Sequence, residues 1–228
     1  MALTPRVETA LLADQVYASL HEAILSGELP AGSRLRIRDI AEQVGTSVMP
    51  VREAIRRLEE AGLAERSPHK GAVVRTHSLE ELIHVYEVRR ILEVAAARAG
   101  APLIDEAGLQ GMREQYELMT AAVEEGRVVD SLDRDEELLA TLYAASANPY
   151  LLQLIRTQWQ LCRAYKIFGA REAVDSASDD VLWHFQARLI EAAEAGDGAA
   201  AAAITDESLR AASSRIEAHL AAGDDPAL

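Results

Sequence analysis

Cysteine is almost missing from this chain. Cys162 is the single one in 228 residues, so no internal disulfide and no cysteine-based zinc site can form, which fits a reducing cytoplasm. Long apolar runs are missing too. No stretch approaches the roughly 18–20 consecutive apolar residues of a membrane span. The opening MALTPRVETA lacks a signal-peptide pattern, so the expected location is cytoplasmic. The six histidines are scattered, and no Gly-rich phosphate loop or nucleophile elbow occurs. The groundwork for metal hydrolysis or nucleophilic catalysis is therefore absent, and the chain is not expected to be an enzyme or to need a cofactor.

Positive charge is also short: the formal net charge is −14. An acidic protein makes a poor partner for a polyanion, but the average hides a partition. Residues 1–77 hold 10 basic and 10 acidic side chains, whereas residues 78–228 hold 13 and 27. Within 34–75 the count is nine basic to six acidic, net +3. The acidity belongs to the second part, where it aids solubility and keeps that surface off a phosphate backbone.

With 49% apolar residues the chain can bury a core. A helical pattern spans about 9–28, with Leu12, Val16, Leu20 and Ile24 on one face. It ends at the turn residues Leu29-Pro30-Ala31-Gly32. Short helices follow near 37–44 and 48–61, then strand-like pieces at 64–66 and 72–75 joined by Ser67-Pro68-His69-Lys70-Gly71. From Ser78 the pattern is helical to the end. Ser78-Leu79-Glu80-Glu81 reads as a capping box, and further helices are expected near 105–125, 130–146, 149–169, 179–195 and 199–221. Short connections, with breaks at Gly126, Asn148-Pro149, Gly169 and Gly196, predict antiparallel packing as a bundle. The expected architecture is mainly α, with a domain of residues 1–77 (three helices and a small β-hairpin) followed by an all-α domain of residues 78–228.

In the first domain Ile37, Ile40, Ala41 and Val44 form one stripe, Gly45 suits a tight inter-helix turn, and Ser47 is a good N-cap for the next helix. Pro50 in that helix's first turn loses only an amide that had no partner. Val51, Ile55 and Leu58 face inward. Glu53 and Arg57 are spaced for an ion pair, and Arg56 has Glu59 and Glu60 within reach. Arg52 has no acidic neighbour toward the helix start. It sits where a recognition helix presents its first turn to base edges and phosphates.

Taken together, Gly32–Leu35, Ile37–Gly45, the run Ser47–Ala54, Leu58–Leu63 and Lys70-Gly71 resemble the GntR family of bacterial regulators, and the helical remainder resembles its FadR/FCD subgroup. The resemblance covers nearly the whole chain. It implies a winged helix-turn-helix and a homodimer on a palindromic double-stranded DNA operator. By position it implies DNA contacts from Arg38, Ser47, Met49, Pro50 and Arg52, and from His69, Lys70 and Gly71 in the wing. Many members place an arginine where this chain has Val48, so direct guanine reading from that position is lost.

In the second domain the helix after Ser78 and three later helices each place polar residues on an inward face. Arg89 and Glu93 lie on the apolar face of the helix after Ser78. Asp135 lies among Leu132, Leu138, Leu139 and Leu142, and Gln186 among Leu182, Trp183, Leu189 and Ile190. Ser208 lies with Ala201, Ile204 and Ala212, a side shared with Arg215 and His219. If these converge, they define a cavity. Arg89 and Glu93 read equally as a structural ion pair or as the lining of a site for a polar ligand.

In the FCD subgroup the positions of Asp135, Leu139, Gln186 and Ser208 usually hold an aspartate and three histidines around a divalent metal. The histidines are absent here, His184 falls on an outer face, and His219 is roughly 16 Å along a helix from Ser208. No metal is expected, and the effector site is expected at Arg89, Asp135, Leu139, Gln186 and Ser208. Arg89 beside an apolar wall suggests an organic acid or an acyl thioester. The expected function is a regulator, a repressor by family habit, modulated by a small-molecule effector. The same regulator with a metal kept in a degenerate site is the alternative, and an enzyme or scaffold in the helical half is a remote one.

Overall fold

A computed structural model describes residues 6–68, 70–175 and 184–223. Contacts between its elements divide the described chain after His77 into two units.

In the first unit α1 (Arg6–Leu25), α2 (Ile37–Gln43) and α3 (Val48–Glu60) precede the antiparallel strands β1 (Ala64–Ser67) and β2 (Gly71–Val74). Three helices and a hairpin can close only one small core. It gathers Val16 and Leu20 from α1, Ala41 from α2, Val51, Ala54, Ile55 and Leu58 from α3, and Leu35, Leu63 and Val74 from the segments between. Each large aliphatic side chain fully buried there contributes about 1.5–3 kcal/mol.

Two apolar stripes differ from their sequence reading. Leu12 is 41% exposed, and Ala13 takes the inward place ahead of Val16 and Leu20. Val44 is 44% exposed because α2 ends there, and only Ala41 of that stripe is fully buried. The hairpin also has a third, short edge that periodicity did not suggest. Residues 32–35 pair with β2 through Gly32 N to Val74 O (2.9 Å), Val74 N to Ser33 O (2.8 Å) and Leu35 N to Ala72 O (2.9 Å).

The second unit holds α4 (Leu79–Gly100), α5 (Glu106–Glu124), α6 (Val128–Ala144), α7 (Pro149–Leu161), α8 (Arg163–Asp175), α9 (His184–Glu194) and α10 (Gly198–Ala222). Ser78 and Glu81 cap α4 reciprocally: the Ser78 hydroxyl accepts from Glu81 N, and the Glu81 carboxylate accepts from Ser78 N. Asp105, Asn148 and Asp197 cap α5, α7 and α10 in the same N-terminal role, each satisfying amides that have no partner within the helix.

Helix α10 packs along α4, α5 against α6, and α7 against α4. Two glycines let backbones meet. A Cβ at Gly100 would lie 2.1 Å from the Leu142 carbonyl oxygen of α6, and one at Gly198 would lie 2.3 Å from that of Arg98 in α4. The C-terminal end of α4 is thus held by main-chain contact on two sides, with no room for even a methyl group.

The single helix expected over 149–169 is two. It breaks at Cys162, and the second piece runs through Gly169 to Asp175. No proline or turn residue marks the break. Tertiary attachment accounts for it: Cys162 and Arg163 are both buried, and Arg163 is drawn onto α6 through Asp133, Glu136 and the Val129 carbonyl.

Candidate functional site

In the first unit, burial of Val51, Ala54, Ile55 and Leu58 turns the opposite face of α3 outward. Arg52 and Met49 are exposed there, Met49 by 62%, and Arg38 is exposed on α2. The remaining charges on α3 differ in part from the sequence reading. Arg56 is held by Glu53 (Nε–Oε2 3.0 Å) and by Glu60. Arg57 does not pair with Glu53. It reaches Asp14 of α1 at 2.5 Å and lies over the Tyr17 ring, 4.3 Å from its centroid. Glu59 takes Arg66 from the hairpin. Arg38, Arg52 and Lys70 make no ion pair among the described residues. Exposed cations without carboxylates are the groups a polyanion can engage at least cost.

Ser47 occupies the N-cap of α3 in extended geometry, but its hydroxyl makes no capping bond, contrary to the sequence expectation. It stays exposed beside Arg52 in the first turn. Pro50 needs a correction. It is fully buried, so it sets the direction of the helix start and offers no side chain to a partner. Gly71 begins β2 at φ +78 with nothing within 4 Å of where a Cβ would stand, so the turn conformation itself calls for glycine. His69 lies outside the described residues. Arg34 had not been singled out. It is exposed, and its backbone pairs with Val73 of the hairpin.

In the second unit Arg89, Asp135, Leu139, Gln186 and Ser208 line one cavity of about 140 Å³. It runs along α10, from Ser208 through Ala212 and Arg215 to His219. Trp183, expected in its apolar wall, lies outside the described residues. Phe185, Leu189, Leu132 and Ile204 supply apolar surface. His219 meets Glu172 at 3.3 Å and sets its ring against the edge of Phe168.

Two polar clusters border this cavity. In the first, Glu93 accepts from Arg89 Nε (2.8 Å) and Trp159 Nε1 (2.9 Å) on Oε1, and from the Tyr143 hydroxyl (3.2 Å) on Oε2. Arg89 also lies over the Tyr86 ring, 4.5 Å from its centroid. Burial opposes the charge on Arg89, but the Glu93 carboxylate, joined by Cys162 and Tyr86, more than offsets it and keeps the guanidinium pKa above its ordinary value. The two readings left open by the sequence are thus compatible: the pair is structural, and it lines the cavity.

In the second cluster, Asp135 accepts from Gln186 Nε2 (2.6 Å) on Oδ1, and its Oδ2 faces the Lys166 ammonium at 3.5 Å. Lys166 in turn meets Glu136 (2.9 Å), which Arg163 also holds (3.0 Å). Burial works against the Glu136 carboxylate, yet Lys166 and Arg163 together keep its pKa below the ordinary value. Sequence reading missed Lys166. Treating 149–169 as one helix carries the helical frame of α7 past Cys162, and the break resets which residues of α8 face inward.

This donor set does not fit a divalent ion. Both Asp135 oxygens face protein donors, Leu139 has no donor atom, and an ammonium stands beside the only carboxylate of the four positions. No group of three or more His, Cys, Asp or Glu side chains able to hold a metal occurs among the described residues. No described helix is long and apolar enough to cross a membrane.

Comparison with known proteins agrees with this two-part geometry. Residues 12–74 match the family described as bacterial regulatory proteins, gntR family, and residues 84–224 match the FCD domain. A probable D-xylose utilization operon transcriptional repressor of Paenarthrobacter nicotinovorans is 30% identical over 205 residues, covering 86% of this chain and 84% of that protein. The HTH-type transcriptional regulator McbR of Escherichia coli is 26% identical over 156 residues, covering 68% and 71%. Among solved structures, E. coli McbR/YncC superposes with a TM-score of 0.77 at 22% identity, covering 92% of this chain and 98% of that one. A putative GntR regulator from Rhodococcus sp. RHA1 gives 0.79 at 22%, covering 90% and 97%. At those identities the structural likeness speaks for the fold.

Proposed function

The chain belongs to the GntR family of bacterial regulatory proteins and carries an FCD domain; it is a transcriptional regulator, and from that premise we propose that it is a repressor. It binds a palindromic operator as a homodimer and lets go when a small molecule fills the cavity of its helical unit.

The observation that carries the reading is the first turn of α3. Arg52, Ser47 and Met49 are presented outward from a rigidly buried helix, with Arg38 exposed on α2. That is the set a major-groove helix needs: a cation for guanine or phosphate, a hydroxyl for either, and apolar surface for a thymine methyl. Lys70 and Gly71, with His69 between Pro68 and Lys70 in sequence, form the wing beside it. Exposed apolar side chains on the adjacent helices α4 and α7, namely Val88, Ile91, Tyr150 and Leu154, support pairing of two copies. The printed name of the Paenarthrobacter relative supports the sign of control.

The effector site is the cavity bordered by Arg89, Asp135, Leu139, Gln186 and Ser208. Its size favours one of the two expected effector classes. About 140 Å³ holds roughly one six-membered ring, which suits a short organic acid; the carrier of an acyl thioester would have to lie outside it. Arg89 is already engaged by Glu93. Arg215, exposed on the cavity's border and without an ion pair among the described residues, is the cation open to an acid's carboxylate.

A gel shift with the DNA upstream of the protein's own gene, repeated across salt concentrations, tests the reading. Saturable, sequence-selective binding whose logarithm falls linearly with log salt supports it. A scaffold that has lost DNA affinity gives no selective shift, and turnover by the protein would point to an enzyme instead.

A further inference from the structure

Gln186 has one polar atom left without a hydrogen bond among the described residues. The residue is 8% exposed on the cavity wall, and its Oε1 is buried without a hydrogen-bond partner among the described residues. Chemistry fixes which end of the amide this is. Its neighbour Asp135 can only accept, so the Nε2 group must face the carboxylate and the carbonyl oxygen must face away. Lys166 supports the arrangement: its ammonium faces Asp135 Oδ2 at 3.5 Å, which favours the carboxylate orientation that takes the amide. The result is a relay, Glu136–Lys166–Asp135–Gln186, that ends in one fixed acceptor.

Charge decides what that acceptor recognises. Of the three Lys and Arg side chains that line the cavity, Arg89 is matched by Glu93 and Lys166 by Asp135 and Glu136, which leaves only Arg215 for a ligand's carboxylate among the described residues. A carboxylate placed beside Gln186 would set acceptor against acceptor, next to Asp135. Oε1 has almost no open surface in this structure, so a small shift of the cavity wall must bring it to the ligand; a neutral hydroxyl would then donate to it and complete the relay.

We propose that Gln186 is the specificity residue of the cavity, and that its ligand is a short hydroxylated compound whose hydroxyl donates to Gln186 Oε1 without help from a metal ion. The proposal rests on the cavity being the effector site.

Thermal shift and calorimetry on the full chain test it with matched pairs: malate against succinate, β-hydroxybutyrate against butyrate, and erythritol as an uncharged member, each with and without a chelator. The expected result is that hydroxylated members bind about tenfold or more tightly than their deoxy partners, the value of one hydrogen bond to a buried acceptor. The chelator should change nothing. In Gln186→Met, which keeps the volume and loses the acceptor, the preference should vanish. Deoxy acids that bind as well as their hydroxylated partners would overturn the assignment of Gln186 while leaving the effector site standing. So would a preference that survives in Gln186→Met, or binding that chelation removes. A panel that binds nowhere would overturn both. The wild-type comparison alone decides if Gln186→Met does not fold.

Discussion

Glu93 on α4 and Trp159 on α7 are joined across the bundle by an indole-to-carboxylate hydrogen bond of 2.9 Å, made to the same oxygen that takes Arg89. A carboxylate this deep (1% exposed) persists because every donor around it is aimed at it. Replacing it with leucine leaves Arg89 buried without its counter-charge, and the expected loss is about 3–5 kcal/mol. Trp159→Phe, which removes one donor and leaves a smaller aromatic ring, should cost less, about 1–3 kcal/mol. The double variant Arg89→Met/Glu93→Leu should recover much of the single-variant loss, since no unpaired charge remains. Urea unfolding of the wild type, of Arg89→Met and Glu93→Leu singly, and of the double variant checks this; strict additivity would mean the pair does not act as a unit.

Arg52 and Arg56 sit one turn apart on α3, yet only Arg56 is held by carboxylates. Arg52→Ala should therefore weaken operator binding by at least about tenfold per half-site, with an unchanged melting temperature. Arg56→Ala should have a much smaller effect. Gel-shift titrations of both variants make the comparison, and equal losses would mean that α3 docks through a different face.

Val48 is 39% exposed at the start of α3. An aliphatic side chain there can touch a thymine methyl but cannot read guanine. Val48→Arg is expected to move the preferred base at one operator position per half-site toward guanine. Selection from a randomised DNA library would show it, and an unchanged consensus would remove Val48 from the interface.

Stability should fall on the acid side first. The Glu136 carboxyl is held below its ordinary 4.5 by Lys166 and Arg163 against the opposing effect of burial. A lowered folded-state pKa contributes stability above the ordinary value, and that stability is lost as pH drops below 4.5 toward the folded value. Lys166 is shifted upward by the same partners, Glu136 before Asp135, despite its burial. Its contribution is complete below its ordinary 10.5 and is lost only as pH rises through the folded value. The second unit should therefore hold a plateau from neutral to mildly alkaline pH. In Lys166→Met the acid-side decline should become shallower. Unfolding midpoints measured against pH decide it.

Much of this was readable from residues alone, and the reasons differ by element. Helical period and punctuation located α1 to α6, because an amphipathic stripe bounded by Gly, Pro or a capping box is a local signal. The convergence of Arg89, Asp135, Gln186 and Ser208 on one cavity was legible as polar residues on apolar faces. The break at Cys162 was not, because burial of Arg163 against α6 imposes it and no neighbouring residue announces it. Lys166 was lost with that break. Arg56 holds Glu60 as its spacing suggested, with Glu53 in place of Glu59, whereas the partner of Arg57 was misassigned for a related reason: spacing along one helix says nothing of Asp14, which another helix supplies. Pro50 resembled a contact residue by its place in a motif, while its burial belongs to the core.

The ammonium of Lys166 is covalently part of the chain. Its positive charge therefore arrives with folding at one per chain, cannot be diluted away, and cannot be stripped by a competing chelator. In a cell short of zinc or manganese, the floor of this cavity keeps its charge balance and its shape, so the tuning of the site is written in the gene and does not follow the mineral supply.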